Sequence, residues 1–318
     1  MFACIDLGSN SFHLLIARWQ NGRHEIVERF SEKVQLGEGL AKTGQINAAA
    51  FARGLSCLEA FALALKRYPI NHLWAVGTNA LRIASNANEF LAQAANRGFD
   101  IDVVTGLEEA ALVYAGVMSA LPDDGQSRLI VDIGGGSTEL VVGCGARQLQ
   151  AHSMPIGCIS WRDRWFSGAL DDADVIAGLL HDAALASEQV FLTVAGQLAS
   201  TPWSEVYASS GTAKMLSSIC SQRVSPGAPP SGVHLSVLEN LASDIVAVTL
   251  NPKLSLRGLK NGRRELILPG WSVLMGFMRA NGVSVLNFSP AALREGMLHY
   301  LVKADQASDS PLRVLRGH

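Results

Sequence analysis

Residues 129–143 read LIVDIGGGSTELVVG. The first five residues are apolar apart from Asp132, and several are β-branched, which is typical of a buried strand. Three glycines follow, and a second apolar run starts at Leu140. The pattern therefore predicts a strand, a glycine turn and a returning strand, which together form a β-hairpin.

The turn of this hairpin has residues suited to binding phosphate. Gly134, Gly135 and Gly136 let the backbone come close to a ligand, with N–H groups turned outward as a nest for anionic oxygens. The carboxylate of Asp132 precedes the turn, and that of Glu139 follows it. Because hard divalent cations prefer oxygen ligands, the stretch suits a phosphate bound together with a divalent metal.

The same pattern occurs a second time near the N-terminus. Residues 3–18 read ACIDLGSNSFHLLIAR, and four of them recur at a constant spacing of 126 residues. The recurring pairs are Asp6 and Asp132, Gly8 and Gly134, Ser11 and Ser137, and Leu14 and Leu140. A single glycine-rich turn is weak support for a function, but two copies of Asp-x-Gly-x-x-Ser between apolar runs predict two related domains. We expect each domain to offer a phosphate-binding hairpin to a common cleft.

Composition and charge exclude several classes of protein. The chain has 318 residues, of which 48% are hydrophobic and 17% charged, so it can form one large or two ordinary domains and is not disordered. A net charge of −2 provides no basic field, so nucleic-acid binding is not expected. Five cysteines without a CxxC pair indicate neither a disulfide framework nor a zinc site. The N-terminus lacks a basic leader, and no uninterrupted apolar run reaches about 18 residues, so we expect a cytoplasmic protein that does not bind membranes.

A turn cluster marks the predicted domain boundary. Pro122-Asp123-Asp124-Gly125 divides the chain into an N-terminal domain, residues 1–122, and a C-terminal domain, residues 123–303, followed by a polar tail, residues 304–318. Predicted strands and helices alternate after each hairpin, which indicates a repeated α/β fold with mixed sheets. The biased segment 225–232, SPGAPPSG, is interpreted as a surface loop.

Two predicted helices in the second half have clear start signals. Ser236-x-x-Glu239 has the spacing of a capping box that opens a helix to about residue 250. Ser289-Pro290 combines an N-cap residue with proline at the first helical position, which predicts a last helix over about 289–302.

Residues 105–117, TGLEEAALVYAGV, place two adjacent glutamates at the start of a predicted helix. Neighbouring helical residues point about 100° apart, so only one of the two can face a cleft comfortably. Thr105 and Glu108 have the spacing of a capping box, which gives Glu108 a structural role. Glu109 is then the remaining carboxylate. The positive end of the helix dipole favours its ionised form, which can deprotonate a water that attacks phosphorus. A solvated acid at a helix start is the alternative interpretation of Glu109.

Basic residues that could bind an anionic substrate occur in three places. Arg82 follows a predicted strand and a small-residue turn, where a guanidinium can bind phosphate oxygens in a bidentate manner; a surface ion pair is the alternative. Lys214 follows Ser210-Gly211-Thr212 at a helix start, which could bind an anion. The sequence leaves open the role of a local basic cluster that contains Arg257, Lys260, Arg263 and Arg264.

Together these motifs resemble those of the exopolyphosphatase and guanosine pentaphosphate phosphohydrolase (Ppx/GppA) family, which belongs to the actin-like ATPase superfamily. The two hairpins resemble the phosphate-binding hairpins of the family. TGLEEAALVYAGV resembles its catalytic helix, in which the second glutamate, here Glu109, is the base. GTNALRIASN (77–86), SSGTAKML (209–216) and ALREGML (292–298) resemble three further family motifs. The resemblance covers nearly the whole chain.

The resemblance implies an α/β fold with two ribonuclease-H-like domains, an active site in the cleft between them, and a last helix that packs on the first domain. It implies hydrolysis of a phosphoanhydride assisted by Mg²⁺ or another divalent cation, with Asp6, Asp132 and Glu139 as the metal ligands. The implied catalytic residues are Glu109, Arg82, Asp132 and Glu139. The implied phosphate-binding residues are Gly8, Ser9, Asn10, Ser11, Gly134, Gly135, Gly136, Ser137, Thr138, Gly211 and Thr212.

The leading hypothesis is an exopolyphosphatase that releases orthophosphate from the end of linear inorganic polyphosphate. The alternative is a guanosine pentaphosphate (pppGpp) 5′-phosphohydrolase, because the hairpins bind phosphates and not the group attached to them. A kinase or ATPase of the superfamily fits less well, since those folds generally do not place paired glutamates on this helix. A non-catalytic polyphosphate or nucleotide sensor would not need Glu109. A homodimer is expected only by analogy with the family. Many members also carry a C-terminal helical region that helps to hold long chains, so chain-length preference and processivity stay open.

Overall fold

A computed structural model of the chain describes residues 1–20, 23–224, 227 and 232–317. The chain divides into two compact units: Met1–Leu121 with Ala291–His318, and Pro122–Pro290. The sequence assigned residues 123–303 to the second domain, with the last helix, about 289–302, expected to join the first. The second unit ends at Pro290, and Ala291–His318 belong to the first unit. Most of the predicted surface loop 225–232 lies outside the described residues.

Strands account for both sheets. The strands of the described chain are β1 (Phe2–Leu7), β2 (Phe12–Gln20), β3 (Arg23–Glu32), β4 (His72–Gly77), β5 (Ile101–Val103), β6 (Ser127–Ile133), β7 (Thr138–Cys144), β8 (Arg147–Met154), β9 (Glu205–Ser209), β10 (Gly232–His234) and β11 (Val285–Phe288).

Helices cover the sheets and form the C-terminus. The α-helices of the described chain are α1 (Leu40–Thr43), α2 (Ala48–Leu65), α3 (Asn79–Ile83), α4 (Ala87–Ala95), α5 (Gly106–Met118), α6 (Cys158–Trp165), α7 (Ala173–Ala199), α8 (Ser210–Val224), α9 (Leu235–Glu239), α10 (Ala242–Leu250), α11 (Ile267–Ala280), α12 (Leu293–Ala307) and α13 (Pro311–Arg316). A 3-10 helix covers Asn261–Leu266.

The two units have the same sheet topology. In the first unit the strand order is β3-β2-β1-β4-β5. The first three strands pair antiparallel, whereas β4 pairs parallel with β1 and with β5. In the second unit β8-β7-β6-β9-β11 repeats this order and these directions, and β10 adds an antiparallel strand at the edge. This is the topology of a ribonuclease-H-like domain, so the predicted α/β pair of such domains is confirmed for each unit.

Each sheet is covered by an amphipathic helix with a defined start. In the first unit the Asn47 side chain accepts the Ala50 N–H at 2.8 Å and caps α2, whose apolar face buries Leu58 and Phe61. In the second unit α7 packs against α11, where Phe191 meets Phe277 edge to face. Both sheets therefore have a rigid apolar support behind the hairpins that carry the predicted sites.

The last helix begins later than the sequence predicted. The Ser289 N–H donates to the Ala208 carbonyl at 2.9 Å, so Ser289 extends the pairing of β11 with β9, and the N-cap residue of the last helix is Ala292. The helix α12 starts at Leu293, where the Glu295 carboxylate accepts the Ala292 N–H at 2.9 Å. The predicted tail, residues 304–318, contains helical structure, because α12 continues to Ala307 and α13 follows it.

The predicted helix from Ser236 to residue 250 is wrong as one helix, because it is divided into α9 and α10. The indole N–H of Trp271 donates to the Leu238 carbonyl at 2.7 Å. A continuous helix would offer that carbonyl to the N–H four residues later. His234, and not Ser236, is the N-cap residue of α9.

Helix α12 contacts α5 through two glycines of the first unit. A Cβ atom on Gly116 would lie 1.8 Å from the Ala292 carbonyl oxygen, and a Cβ on Gly296 would lie 1.8 Å from the Leu112 carbonyl oxygen. The two backbones therefore touch directly, and any larger residue at either glycine would separate them. This contact fixes α5, the helix that carries Glu109.

Two helices, Ala48–Leu65 and Ala173–Ala199, are long and apolar enough to cross a membrane by length and composition. Such a match is weak support for a span, because core helices of water-soluble proteins pass the same test. In α2 the apolar face packs on the first sheet, and the opposite side carries Glu59 in an ion pair with Arg97.

Candidate active site

The first glycine turn joins β1 to β2 in the first unit. Asp6 lies opposite His13, and Leu7 lies opposite Phe12, which leaves Gly8, Ser9, Asn10 and Ser11 to form the turn. A Cβ atom on Gly8 would lie 3.0 Å from the Ser11 carbonyl oxygen. Only glycine fits this close approach without a shift of the backbone.

The second glycine turn joins β6 to β7 and has matching geometry. Asp132 lies opposite Glu139, and the Gly134 N–H donates to the Ser137 carbonyl at 2.9 Å. A Cβ atom on Gly134 would lie 3.0 Å from the Ser137 oxygen, the same distance as at Gly8. The repeat predicted from the sequence is therefore confirmed as two hairpins with the same turn.

Helix α6 supports the second turn from behind. The N–H groups of Cys158 and Ile159 donate to the carbonyls of Gly134 and Gly135 at 2.9 and 2.7 Å. In a trans peptide the N–H points away from its carbonyl, so the N–H groups of Gly135 and Gly136 point away from α6. Those amides form the surface that can accept an anion.

Gly157 makes this support possible, and the sequence interpretation did not identify it. A Cβ atom on Gly157 would lie 2.5 Å from the Gly135 carbonyl carbon. The neighbouring Thr138 hydroxyl donates to the Ile156 carbonyl at 2.6 Å and joins the same two segments. The sequence signal is the apolar-glycine pair Ile156-Gly157, two residues after the end of β8.

Cys158 lies just behind the second turn, but it has no features of a nucleophile. Its side chain is buried, and burial raises the pKa of the thiol, which the nearby Thr212 hydroxyl and the charges of Arg263 and Arg162 offset only in part. The thiol is therefore neutral near pH 7, and the reactive form of cysteine is the thiolate.

The two carboxylates of the second hairpin are each held by a serine on a neighbouring strand. The Ser209 hydroxyl on β9 donates to Asp132 Oδ1. The Ser153 hydroxyl on β8 donates to Glu139 Oε1 at 2.9 Å, and Glu139 has no exposed surface. Neither serine was predicted, because both reach the site through strand pairing across the sheet.

Asp132 and Glu139 fit one side of a hard-cation site. They face the same side of the sheet because they are directly opposite on antiparallel strands, and Mg²⁺ is commonly bound by one or two carboxylates with water and substrate phosphates. In the first hairpin His13 occupies the position equivalent to Glu139, so Asp6 has no carboxylate opposite it. Within the described ranges, no three His, Cys, Asp or Glu side chains are grouped to hold a metal ion.

Glu108, the first of the adjacent glutamates of α5, has the capping role that the spacing predicted. Glu108 forms the capping box: its Oε2 accepts the Thr105 N–H at 2.7 Å, and Thr105 Oγ1 accepts the Glu108 N–H at 3.2 Å. Arg316 of α13 contacts the other oxygen of Glu108 at 2.6 Å. Partial burial tends to raise the pKa of Glu108, but the bonds from Arg316 and Thr105 outweigh it and lower the pKa.

Glu109 is buried and paired with Arg82. Only 6% of the Glu109 surface is exposed, and its Oε2 accepts a hydrogen bond from Arg82 Nη1 at 3.0 Å. The same nitrogen donates to the Val104 carbonyl at 2.8 Å. The alternative of a solvated helix-start acid is thus wrong, since the two residues predicted to be catalytic in the first unit are in direct contact.

Gly211 and Thr212 lie in the first turn of α8 in the second unit. Thr212 is almost fully buried, and the Arg263 guanidinium lies over Gly211, within 2.5–2.8 Å of where a Cβ atom would be. Arg264 instead donates to the carbonyls of Val248 and Leu254, which is a structural role. Arg257 and Lys260, the other members of the basic cluster, are exposed.

Comparison with known proteins identifies the family. The sequence profile of the Ppx/GppA phosphatase family matches residues 15–304. The chain is 33% identical over 312 residues to a Haemophilus influenzae protein provisionally named an exopolyphosphatase, covering 96% of this chain and 93% of that protein. The chain therefore belongs to the Ppx/GppA phosphatase family and is a hydrolase by family membership.

A second relative carries a different name. The chain is 32% identical over 317 residues to a guanosine-5′-triphosphate,3′-diphosphate pyrophosphatase of Vibrio cholerae. That match covers 99% of this chain but only 62% of the relative. The family is thus shared by relatives named for two different substrates.

Solved structures show the same fold. An exopolyphosphatase from Cytophaga hutchinsonii superposes with a TM-score of 0.83 at 24% identity, covering 98% of this chain and 99% of that one. A Ppx/GppA family member from Aquifex aeolicus superposes with a TM-score of 0.73 at 22% identity, covering 97% and 99% of the two chains.

Proposed function

We propose that the protein is an exopolyphosphatase that hydrolyses the terminal phosphoanhydride of linear inorganic polyphosphate and releases orthophosphate. The observation that carries this proposal is the buried Glu109 carboxylate held by Arg82. A protein that only bound phosphate would have no need to bury a carboxylate in that position, because a negative charge there opposes an anionic ligand. As a base that activates water, Glu109 has a reason to be there.

Each residue has an assigned task in this proposal. The outward N–H groups of the two glycine turns bind phosphate oxygens and orient the chain end. We assign the proton of the attacking water to the Glu109 carboxylate, which Arg82 orients through Oε2. Arg82 orients Glu109 and offers the rest of its guanidinium to the transferred phosphoryl group, where negative charge builds up.

Mg²⁺ or another divalent cation is the proposed cofactor. Asp132 and Glu139 would hold it, with water and phosphate oxygens as the other ligands. When bound, it would neutralise charge on the phosphates. We also propose, by analogy with the family alone, a cytoplasmic protein that can form homodimers.

The alternative substrate is pppGpp, with removal of its 5′ γ-phosphate. The support for it is the 32% identity to the Vibrio cholerae relative over nearly all of this chain. Polyphosphate is preferred because the Haemophilus influenzae relative matches this chain over 93% of its own length. The least favoured alternative is a non-catalytic sensor of polyphosphate or nucleotides.

Phosphate release distinguishes these functions. Purified protein with Mg²⁺ would be given long-chain polyphosphate, short-chain polyphosphate, pppGpp and ATP in parallel. Preferential release from polyphosphate supports the proposal, and its dependence on length reports the chain-length preference. Much faster turnover of pppGpp would instead support the alternative function, a pppGpp 5′-phosphohydrolase. Binding of polyphosphate without any release of phosphate would support the non-catalytic sensor.

A further inference from the structure

The first glycine turn is supported from behind by the segment 34–38. The Gln35 N–H donates to the Asn10 carbonyl at 2.8 Å, and the Gly37 N–H donates to the Ser9 carbonyl at 2.9 Å. A Cβ atom on Gly37 would lie 2.9 Å from the Ser9 Cβ. The second turn is supported in a similar way, because the N–H groups of the two residues after Gly157 donate to carbonyls of that turn.

These supports form a second repeat in the chain. Leu36-Gly37 follows β3, and Ile156-Gly157 follows β8, the third strand of each sheet in chain order. Leu36 and Ile156 have no exposed surface. The two pairs are separated by 120 residues and not 126, so the alignment of the hairpins did not reveal them.

The two supports are held in different ways. In the second unit the support is the first turn of helix α6. In the first unit the segment lies between β3 and α1, and a side chain of α2 holds it. Arg53 Nε donates to the Val34 carbonyl at 2.8 Å, and Arg53 Nη2 donates to Glu38 Oε2 at 3.1 Å.

The held segment is strained. Gln35 has a φ of 54°, in the left-handed region that residues other than glycine rarely adopt. Such a conformation persists only where its surroundings fix it. Arg53 binds the segment on both sides of Gln35, at Val34 and at Glu38, and Val34 is fully buried, so water cannot easily replace the lost bond.

We propose that Arg53 is a positioning residue for the first phosphate-binding turn. Arg53 fixes the segment 34–38, and that segment holds the carbonyls of Ser9 and Asn10, so that their turn presents its N–H groups in one geometry. The proposal rests on the proposed function for the role of the turn, but the Arg53 contacts can be tested without activity.

The test compares Arg53→Met with Arg97→Met. Arg97 also forms an ion pair with a glutamate in the first unit, at 2.8 Å from Glu59, and also donates to the Gln93 carbonyl at 2.9 Å, so none of its described bonds goes to the segment 34–38. The readouts are KM and kcat for phosphate release from polyphosphate, and hydrogen–deuterium exchange of peptides that cover residues 8–12 and 34–38. Arg53→Lys is included because lysine keeps the positive charge but lacks the planar guanidinium, which can donate to two acceptors at once.

Arg53→Met is expected to raise KM roughly tenfold, of the order expected for losing a bond to a buried acceptor, with kcat changed by less than about threefold. Exchange should become faster in both peptides, Arg53→Lys should lie between, and Arg97→Met should match the wild type. Equal KM values for the two methionine variants would overturn the proposal, even if exchange at 34–38 increased.

Two further outcomes are also decisive. If Arg53→Met does not fold, Arg53→Lys decides by the same KM and exchange criteria. If the wild type releases phosphate from none of the four substrates, the proposed function fails. The exchange of residues 8–12 then decides alone: faster exchange in Arg53→Met than in Arg97→Met supports the positioning role, and equal exchange refutes it.

Discussion

Arg82 Nη1 lies 3.0 Å from Glu109 Oε2 and joins helix α3 to the first turn of α5. The same nitrogen also donates to the Val104 carbonyl, at the start of the connection between β5 and α5. Arg82 therefore bonds both this connection and the helix that follows it. A carboxylate that is oriented in this way has few alternative rotamers, and catalytic groups depend on such fixed geometry. The pair therefore links the predicted base to the predicted phosphate-binding cation.

Replacement of Arg82 by lysine is expected to lower kcat/KM at least tenfold. Lysine keeps the charge, but its single nitrogen cannot bind Glu109, Val104 and a phosphate with the geometry of a planar fork. The measurement is steady-state phosphate release, with Arg97→Lys as the control for a general loss of arginine. Activity of Arg82→Lys within about twofold of the wild type would show that the fork is not needed.

Gly157→Ala is expected to destabilise the protein by about 1–3 kcal/mol and to reduce activity. The new Cβ would meet the Gly135 carbonyl carbon at 2.5 Å and push α6 away from the second turn. Gly178→Ala in α7 is the matched control, since no neighbouring atom lies within 4 Å of its Cβ.

The control should behave in the opposite way. Alanine is favoured over glycine inside a helix by roughly 0.5–1 kcal/mol, so Gly178→Ala should raise the midpoint of urea unfolding and leave activity unchanged. Equal stability and activity of the two alanine variants would contradict the proposed contact between Gly157 and the turn.

Glu108 should make stability depend on pH. Its pKa is lowered in the folded protein, although burial alone would raise it, because Arg316 and Thr105 bond the ionised form. The contribution is therefore complete above the unfolded-state pKa of about 4.3 and is lost as pH falls through the lower folded-state pKa. The difference in unfolding free energy between wild type and Glu108→Gln should thus shrink between pH 6 and pH 3, measured by urea unfolding.

Variants of α13 isolate the ion pair in this effect. Arg316→Ala should remove part of the pH dependence, since Arg316 contacts Glu108 Oε1 at 2.6 Å. Arg313→Ala is the control on the same helix, because Arg313 pairs with Asp309. If both alanine variants had the same pH profile, α13 would not act through Glu108.

The local features of the fold could be predicted from the sequence. The two hairpins are encoded by apolar runs around a glycine turn, and the capping box of α5 is encoded by Thr105 and Glu108 three residues apart. Such patterns depend on neighbours in the chain, so they are visible without the structure. The same holds for Glu109, which the spacing identifies as the glutamate of α5 that does not take part in the capping box.

Features that depend on distant contacts could not be predicted. Ser289 has the local signature of an N-cap, but pairing with Ala208 of another strand overrides it. The helix after Ser236 is interrupted near Leu238, whose carbonyl accepts a hydrogen bond from Trp271, far along the chain. Ser153 and Ser209 reach the carboxylates of the second hairpin only through the order of strands in the sheet.

The most direct test of the account compares Glu109→Gln with Glu108→Gln in phosphate release from polyphosphate. The two variants remove one negative charge each at adjacent positions, and a glutamine at 108 can still accept the Thr105 N–H. We predict that Glu109→Gln lowers kcat at least about 100-fold while polyphosphate still binds, and that Glu108→Gln stays within about threefold of the wild type at pH 7. Retained activity in Glu109→Gln, or equal losses in both variants, would contradict the assignment of Glu109 as the base.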